Sequence, residues 1–394
     1  MRSASARSPR HTIALYYGLT GVLNALWGAA LPAIDARLDL GPARLGGLFA
    51  LLAISALVAM PITGRLADRW DSRLLLRVTN PASALALIGA ALAPTASTLA
   101  IWTVVMGLLF GALNVALSIQ AVAVERTISR PVMSGLHGIW TLGAVAGGVL
   151  VTVGLGTGAD VRLVMTSGAV VLVVAGLTIA PPPVRPSPLK ATDEPGPVIS
   201  TTLLVTLGLI GAAGFLTEGA ATDWAGIHAT RVLGATPAVA SFVYTVFFVA
   251  MTVVRFAGDA LRARFGAERT VRAGGGTASA GYALVLLAGL LPSATPGRIA
   301  VAVTGWALAG AGMAVIWPVV VSTLGATAAS GRRLSTVTAI GYGGGLAGPA
   351  LIGHTAAATS LSTALVIPAA VTAIAPTALR RARIPRPLQP TSRP

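Results

Sequence analysis

Long apolar runs separated by short polar loops dominate the hydrophobicity pattern of this chain. Each run has about 20 mostly apolar residues, the length that an α-helix needs to cross a lipid bilayer. The pattern therefore predicts twelve membrane-spanning helices, numbered here as spans 1 to 12. They cover residues 12–33, 44–63, 74–93, 98–122, 134–156, 161–180, 200–224, 237–257, 271–291, 298–323, 335–357 and 361–379.

The predicted spans fall into two sets of six. The longest loop, 181–199, is rich in Pro and follows span 6. A short motif also repeats, because Arg69-Trp70-Asp71 after span 2 returns 195 positions (264 minus 69) later as Arg264-Phe265-Gly266. Duplication of this kind is typical of transporters built from two similar halves. The sequence thus predicts two pseudo-symmetric six-helix bundles, 1–180 and 200–394, joined by the linker 181–199.

Composition supports an integral membrane protein and argues against several other classes. Hydrophobic residues make up 55% of the chain, charged residues 10%, and the mean hydropathy is +0.81. A soluble chain carries about 25% charged residues. There is no Cys, and the four His are scattered, so no disulfide or metal site is predicted. Neither a phosphate-binding loop nor a catalytic Ser/His/Asp set is found, so we expect no cofactor and no enzyme activity.

The net charge of +16 predicts the orientation of the chain in the membrane. Five of the 28 basic residues fall in or beside the loops of one side, which leaves 23 (28 minus 5) on the side of the two chain ends. The five are Arg37, Arg44, Arg162, Arg231 and Arg298. Because basic loops stay in the cytoplasm, both termini are predicted to be cytoplasmic. The charge therefore indicates contact with lipid headgroups rather than with nucleic acid.

A loop motif carries a family resemblance. Gly64-Arg65-Leu66-Ala67-Asp68-Arg69-Trp70-Asp71-Ser72-Arg73 resembles the Gly-x-x-x-Asp-Arg-x-Gly-x-Arg signature of the major facilitator superfamily, and it lies between spans 2 and 3 as in that family. Asp71 departs from the pattern, which has Gly at this position. Arg255-Phe256-Ala257-Gly258-Asp259, followed by Arg264-Phe265-Gly266, resembles a partial second copy. Ala263 stands opposite Asp68 there.

Three further stretches resemble a bacterial branch of that superfamily related to fucose permeases. They are Leu31-Pro32-Ala33-Ile34, Met133-Ser134-Gly135-Leu136-His137-Gly138 and Glu218-Gly219-Ala220-Ala221-Thr222-Asp223-Trp224. The resemblance implies a bacterial cytoplasmic (inner) membrane protein that carries a small solute by alternating access, and it implies gating by the charged loops. The gating candidates are Gly64, Asp68, Arg69, Arg73, Arg255, Asp259 and Arg264. Alternatively, these charges only anchor the loops at the membrane surface.

Two carboxylates inside span 7 are candidates for proton coupling. An acid within a membrane span is costly unless it faces a cavity or a partner. Glu218 lies about 27 Å along the helix, which predicts a place in the outer part of the bilayer, with Asp223 at or beyond the interface. The alternative role for Glu218 is an outer hydrogen bond or ion pair, with Arg231 or Arg37 as partner.

Polar and aromatic side chains within other spans are candidates for the wall of a solute cavity. In span 10, Trp306, Gly310, Met313 and Trp317 form a stripe at helical spacing that fits either a ring-shaped solute or ordinary packing. His137 is a candidate for the cavity or for bridging two helices. The cavity candidates are Tyr17, Asn24, Trp27, Asn114, His137, Trp140, Tyr244, Phe248, Met313, Trp317 and Tyr342.

Taken together, these features predict a secondary active transporter that acts as a monomer on a small molecule and is coupled to protons. The resemblance to sugar permeases favours uptake of a polar solute. The scarcity of cavity charges and the aromatic stripe favour efflux of an apolar compound instead. A transporter-like membrane sensor is an alternative of a different class, but the short basic tails argue against it.

Overall fold

Helices form the regular structure of the chain in a computed structural model that describes residues 8–128, 132–181, 184, 201–292, 297–320 and 331–381. We number them α1 to α15. The first seven are α1 (Pro9–Gly28), α2 (Leu31–Leu38), α3 (Gly41–Arg69), α4 (Ser72–Leu92), α5 (Ala96–Ile128), α6 (Met133–Gly156) and α7 (Val161–Thr178). The others are α8 (Thr201–Arg231), α9 (Pro237–Phe265), α10 (Ala267–Leu290), α11 (Gly297–Met313), α12 (316–320), α13 (Gly331–Ala358), α14 (Leu361–Ala364) and α15 (Val366–Arg381).

Each predicted span has a helix at its place in the structure. Span 1 consists of α1 and α2, span 10 of α11 and α12, and span 12 of α14 and α15. Within the described residues, ten stretches are long and apolar enough to cross a membrane, and Leu361–Ala373 is a shorter apolar helix. The predicted all-α membrane fold is therefore confirmed. Most of the linker 181–199 lies outside the described residues, so the domain boundaries stay a prediction.

The first span is broken into α1 and α2 at the point where it lies beside α9 of the second half. α1 ends at Gly28, and a Cβ added at this position would lie 2.7 Å from Cε2 of the Tyr244 ring. α2 then begins at Leu31 with Pro32 in its first turn, where the missing N–H of Pro does no harm. The missing side chain of Gly28 therefore allows α9 to approach α1 closely.

The two halves pack by the same pattern. In the first half, α1 pairs with α6, α3 with α5, and α4 with both α5 and α7. Six spans later, α8 pairs with α13, α9 with α11, and α10 with both α11 and α15. Equivalent glycines permit equivalent close approaches: Gly111 of α5 meets the backbone of Ala56, and Gly310 of α11 meets the backbone of Phe247. The prediction of two pseudo-symmetric bundles is confirmed.

The halves meet along two symmetric helix pairs, α6 with α9 and α3 with α13. We call the face at which α1 begins and α3, α5 and α9 end the basic face, and the other the opposite face. At the opposite face, Gly46 and Gly353 bring α3 and α13 together so closely that a Cβ on Gly46 would lie 2.7 Å from Cα of Gly353. Phe49 and Trp224 pack edge to face beside them, with ring centroids 5.3 Å apart.

Hydrogen bonds and an ion pair also hold the two halves together at the opposite face. The guanidinium of Arg231 at the end of α8 donates two hydrogen bonds to Asp35 of α2, at 2.7 and 2.8 Å, and Asp35 is buried. Ser241 of α9 donates to the carbonyl of Ala29 at 2.5 Å. Among the described residues, the hydrogen bonds and ion pairs between the halves lie from mid-depth to the opposite face. The molecule is therefore closed at that end.

A cysteine pair tests this closure, because the natural chain contains no Cys. The hydroxyls of Thr152 in α6 and Thr245 in α9 lie 3.3 Å apart, which is close enough for a disulfide between cysteines at these positions. When labelled after unfolding in SDS, the double variant Thr152→Cys/Thr245→Cys should lose nearly all reaction with PEG-maleimide after oxidation in the folded state and should regain it on reduction. Each single variant is the control and stays reactive. Free thiols in the oxidised double variant would contradict the closed arrangement.

Candidate functional site

His137 marks an internal cavity on α6. The lipid-facing stripe of this helix contains Leu142, Val149 and Val153, which are 46–58% exposed. His137 is also exposed, yet at 100° per residue it lies about 140° around the helix from Leu142. Its ring contacts Tyr17 of α1 edge to face, with centroids 5.8 Å apart. The exposure of His137 therefore reports a cavity between helices rather than lipid.

Two polar residues of α5 border the same cavity. Asn114 and Ser118 are exposed one turn apart, and Asn114 lies about 120° around the helix from the exposed Leu108. The amide of Asn114 donates to the carbonyl of Phe110 at 2.9 Å, which leaves its side-chain oxygen for a ligand. Because His137 lies near the start of α6 and Ser118 in the second half of α5, the cavity opens towards the basic face.

A half-buried tryptophan lies in each half and is a candidate for the cavity wall. Trp140 of α6 is half-buried and packs against Phe248 of α9, with ring centroids 6.0 Å apart. Trp317 of α12 is half-buried and packs against Phe215 of α8 at 4.6 Å. These two tryptophans offer flat apolar surfaces on which a ring can stack.

An ion pair between α8 and α9 is the main charged feature of the site. Nη2 of Arg255 lies 3.4 Å from Oε2 of Glu218, and their side chains are 9% and 19% exposed. The proposed alternative partners Arg231 and Arg37 are therefore wrong, since Arg231 pairs with Asp35. Glu218 follows Thr201 by 17 residues and precedes Arg231 by 13, so it lies near the middle of α8 rather than near its outer end.

Arg255 was expected in a gating loop, and the structure corrects this. α9 continues to Phe265, so Arg255 and Asp259 belong to a helix, and the side chain of Asp259 lies outside the described part. Arg264 is in the last turn of α9, where its guanidinium lies 5.4 Å from the centroid of the Phe265 ring. The long side chain of Arg255 therefore acts inside the helix bundle.

The first-half motif is also more helical than expected. α3 continues through Gly64 to Arg69, and only Trp70 and Asp71 separate it from α4. Asp71 caps α4 by accepting a hydrogen bond from the backbone N–H of Arg73 at 3.0 Å, and it pairs with the Arg73 guanidinium. Its φ of −64° needs no Gly, whereas Gly266, its counterpart, has a φ of 79°. The side chain of Asp68 lies outside the described part, so its gating role stays a prediction.

Several cavity candidates are buried in this conformation and do not line the open cavity. Met313 accepts a hydrogen bond from the hydroxyl of Thr217 at 3.1 Å, and α11 ends there, which interrupts the predicted stripe. Trp306 packs on Tyr282, with ring centroids 5.5 Å apart. The candidates exposed by 5% or less are Tyr17, Trp27, Tyr244, Phe248 and Met313. The side chain of Tyr342 lies outside the described part.

The cavity ends at a contact between the halves. The amide of Asn24 in α1 donates to the hydroxyl of Tyr244 in α9 at 3.5 Å, and Asn24 is half-buried.

Asp223 is half-buried on α8, five residues nearer the opposite face than Glu218, and has no hydrogen bond or ion pair to another described residue. α8 extends eight residues beyond Asp223, so this carboxylate lies within the bundle and not at the predicted interface.

Sequence reasoning missed the Glu218–Arg255 pair and several neighbours of the cavity. Arg255 does lie inside predicted span 8, and a cation within an apolar span was the signal available. Ser118 and Phe215 were not selected, because their local pattern is that of ordinary helix residues. Glu125 also went unselected, and it accepts a hydrogen bond from the backbone N–H of Val132 at 2.8 Å beside the start of α6.

A second cleft, of about 560 Å³, lies at the opposite face between the two halves. It is lined by Ala33, Arg37, Leu155, Gly156, Gly158, Ala159, Asp160, Val161, Thr236, Pro237 and Ala238. Hydrogen bonds from Arg162 lower the pKa of Asp160 to about 2, so this loop carboxylate is charged at physiological pH. None of the residues that border the internal cavity, His137, Asn114 and Ser118, lines this cleft.

Comparison with known proteins agrees with this architecture. A family model described as Major Facilitator Superfamily matches residues 13–291. The chain is 32% identical over 358 residues to an uncharacterized MFS-type transporter of Yersinia pestis, with 89% of each chain covered. It is 31% identical over 362 residues to an uncharacterized transporter of Sinorhizobium fredii, with 90% of this chain and 93% of the relative covered.

A solved structure shows the same fold. The crystal structure of the nucleoside transporter NupG matches with a TM-score of 0.69 at 14% identity, covering 96% of this chain and all (100%) of that one. The family resemblance seen in the loop motif is thereby confirmed, while the fucose-permease branch stays a prediction. The chain belongs to the major facilitator superfamily of membrane transporters.

Proposed function

We propose that this transporter imports a polar solute together with protons across the bacterial cytoplasmic (inner) membrane, acting as a monomer without a cofactor. The observation that carries the proposal is the largely buried Glu218–Arg255 ion pair beside a cavity between the two halves. The family supports transport over the sensor and enzyme alternatives. Proton coupling, direction and solute class are the proposed parts.

The charge distribution supports the orientation. The loops and chain ends of the basic face hold most Arg residues of the sequence, and such loops remain in the cytoplasm. With both termini cytoplasmic, the cavity bordered by His137 and Asn114 opens inward, and the contact between Asp35 and Arg231 closes the outer end. The conformation is then inward-facing.

Alternating access requires that the outer closure be strong enough to form and weak enough to break. The Asp35–Arg231 pair makes two charge-assisted hydrogen bonds, and bonds of this kind contribute about 1.5–3 kcal/mol each. Arg231 is 35% exposed, which places its pair at the lower end of that range. Solute binding can supply energy of this size, so the two conformations can exchange.

Glu218 supports coupling to protons. Its side chain is 19% exposed, so water in the cavity can deliver a proton to it. Protonation removes the negative charge that holds Arg255, and the ion pair then loses its electrostatic attraction. A change in charge at mid-depth, where α8 and α9 cross, gives the proton a direct influence on the packing of the second half.

The cavity lining supports a polar solute over an apolar drug. Asn114, Ser118 and His137 offer hydrogen-bonding groups, while Trp140 and Trp317 offer stacking surfaces. Small-molecule sites combine apolar walls with a few such polar groups. Sugars and nucleosides have both rings and hydroxyls, and the similar structure NupG is named as a nucleoside transporter. Efflux of an apolar compound would leave three polar side chains without a role.

Substitution of Glu218 tests the coupling. In proteoliposomes with an imposed pH gradient, Glu218→Gln should abolish solute accumulation against its concentration gradient but retain exchange of solute across the membrane. The reason is that Gln cannot release a proton, although it still fills the same space. Glu268→Gln is the matched control, because Glu268 forms an exposed pair with Arg272 on α10. Unchanged accumulation by Glu218→Gln would remove it as the proton site.

Two tryptophans distinguish the cavity wall from packing. Trp317→Ala should weaken solute binding about three- to tenfold with little change in Tm, since one stacking contact contributes about 0.5–1.5 kcal/mol. Trp306→Ala should instead lower the Tm, because loss of a fully buried Trp costs about 3–5 kcal/mol, and leave affinity unchanged. Solute titrations and thermal unfolding of both variants measure the two effects. Equal losses of affinity in Trp317→Ala and Trp306→Ala would indicate that Trp317 only packs against other helices.

A further inference from the structure

The guanidinium of Arg255 has fewer partners than its chemistry requires. An Arg side chain carries five N–H donors. In the described part of the chain, its hydrogen bond to Glu218 is 3.4 Å long, and Nε is buried without any partner. The side chain is only 9% exposed. A buried cationic donor without an acceptor is unfavourable, so Arg255 has unused capacity to bind an anion.

Among the described residues, no group other than Glu218 accepts a hydrogen bond from the Arg255 side chain. On α10, the hydroxyl of Tyr282 donates to the carbonyl of Thr217, and on α9 the Tyr244 hydroxyl contacts Asn24. The described part of α13 presents glycines and Pro349 beside this turn of α8. Asp223 lies on α8 about 7.5 Å beyond Glu218 along the helix axis.

The remaining neighbour connects Arg255 to the cavity. α6 meets this turn of α9, since a Cβ added at Gly138 would lie 3.4 Å from the ring of Phe256, and the adjacent His137 is exposed. Glu218 is thus the acid that holds Arg255, while the exposed side chains of His137, Asn114 and Ser118 border the cavity. A solute in this space can reach the guanidinium if Glu218 releases it.

We propose that Arg255 binds a carboxylate of the transported solute, and that Glu218 and the solute compete for it. Protonation of Glu218 frees Arg255, so the proton and the organic anion bind together. This inference rests on the proposed function and names its substrate class, a monocarboxylate attached to a polar or aromatic ring.

Charge balance explains how this competition couples the two movements. The empty site holds Glu218 and Arg255 with opposite charges, and the fully loaded site holds protonated Glu218 and Arg255 paired with the anion. Both states are neutral. The site with the proton alone has a charge of plus one, and the site with the anion alone has minus one. An unpaired charge is costly in a buried site, so only the empty and fully loaded forms change conformation readily.

Thermal unfolding of the purified protein at pH 6 and pH 8 tests the proposal with matched pairs of compounds. Each pair is a carboxylate and its uncharged counterpart: nicotinate with nicotinamide, and D-glucuronate with D-glucose. For the wild type, at least one acid should raise the Tm more at pH 6 than at pH 8, while its neutral counterpart has little effect. Glu218→Gln should be stabilised equally at both pH values, because Gln imitates the protonated acid. Arg255→Gln should lose the stabilisation.

Two controls separate binding from folding. Arg272→Gln removes a guanidinium of an exposed Arg–Glu pair on α10 and should respond like the wild type. The double variant Glu218→Gln/Arg255→Gln removes both charges, so it should unfold at a Tm near that of the wild type yet bind none of the acids. Loss of binding in the folded double variant supports Arg255 as the anion site.

Three results would overturn the inference. The first is that the neutral counterparts raise the Tm as much as the acids do. The second is that no acid raises the Tm of either the wild type or Glu218→Gln. The third is that the rise in Tm of Glu218→Gln still depends on pH. Failure of the proposed function gives a different result. Proton-driven accumulation of a neutral solute would overturn only the carboxylate site, whereas acid binding that needs Arg255 without proton-driven accumulation would overturn only the coupling.

Discussion

Lipid is the solvent of this chain, and that constraint governs the rest of the structure. No water is present in the bilayer core to satisfy backbone N–H and C=O groups, so the chain satisfies them within helices. Apolar side chains gain little from leaving lipid for a helix interface, and close contact therefore depends on small residues. Gly111 against Ala56 and Gly310 against Phe247 show this at equivalent places in the two halves.

Close packing within each half contrasts with a narrow junction between the halves. The junction consists of two symmetric helix pairs, and its polar contacts among the described residues lie from mid-depth to the opposite face. A junction of this kind can rotate about the contacts at mid-depth. Because the two helix pairs are related by symmetry, rotation in either direction can bury a similar pair of helix surfaces.

The same constraint explains why so few polar groups mark the site. A charge in lipid needs a partner or water, and Glu218 and Arg255 use both, since they pair with each other beside the cavity. The pair is incompletely hydrogen-bonded, because Nε of Arg255 is buried without a partner among the described residues. In the proposed site, Asn114 and His137 add exposed polar groups.

The sequence by itself determined the number and order of the spans, the all-α class, the two halves and the basic face. These properties depend on local composition, because about 20 consecutive apolar residues are sufficient to define a span. The loop motif added the family. The intramembrane acid Glu218 was also visible, since any carboxylate within a span stands out.

Only the tertiary structure decided which residues meet. Glu218 and Arg255 are 37 positions (255 minus 218) apart, and no local pattern relates two residues on different helices. The need for Gly at position 28 depends on the ring of Tyr244 in the other half. Trp306 and Trp317 belong to the same predicted stripe, yet the first is fully buried and the second is only half-buried. Helical periodicity gives the face on which a side chain lies, whereas the neighbour that covers this face is fixed by contacts distant in the chain.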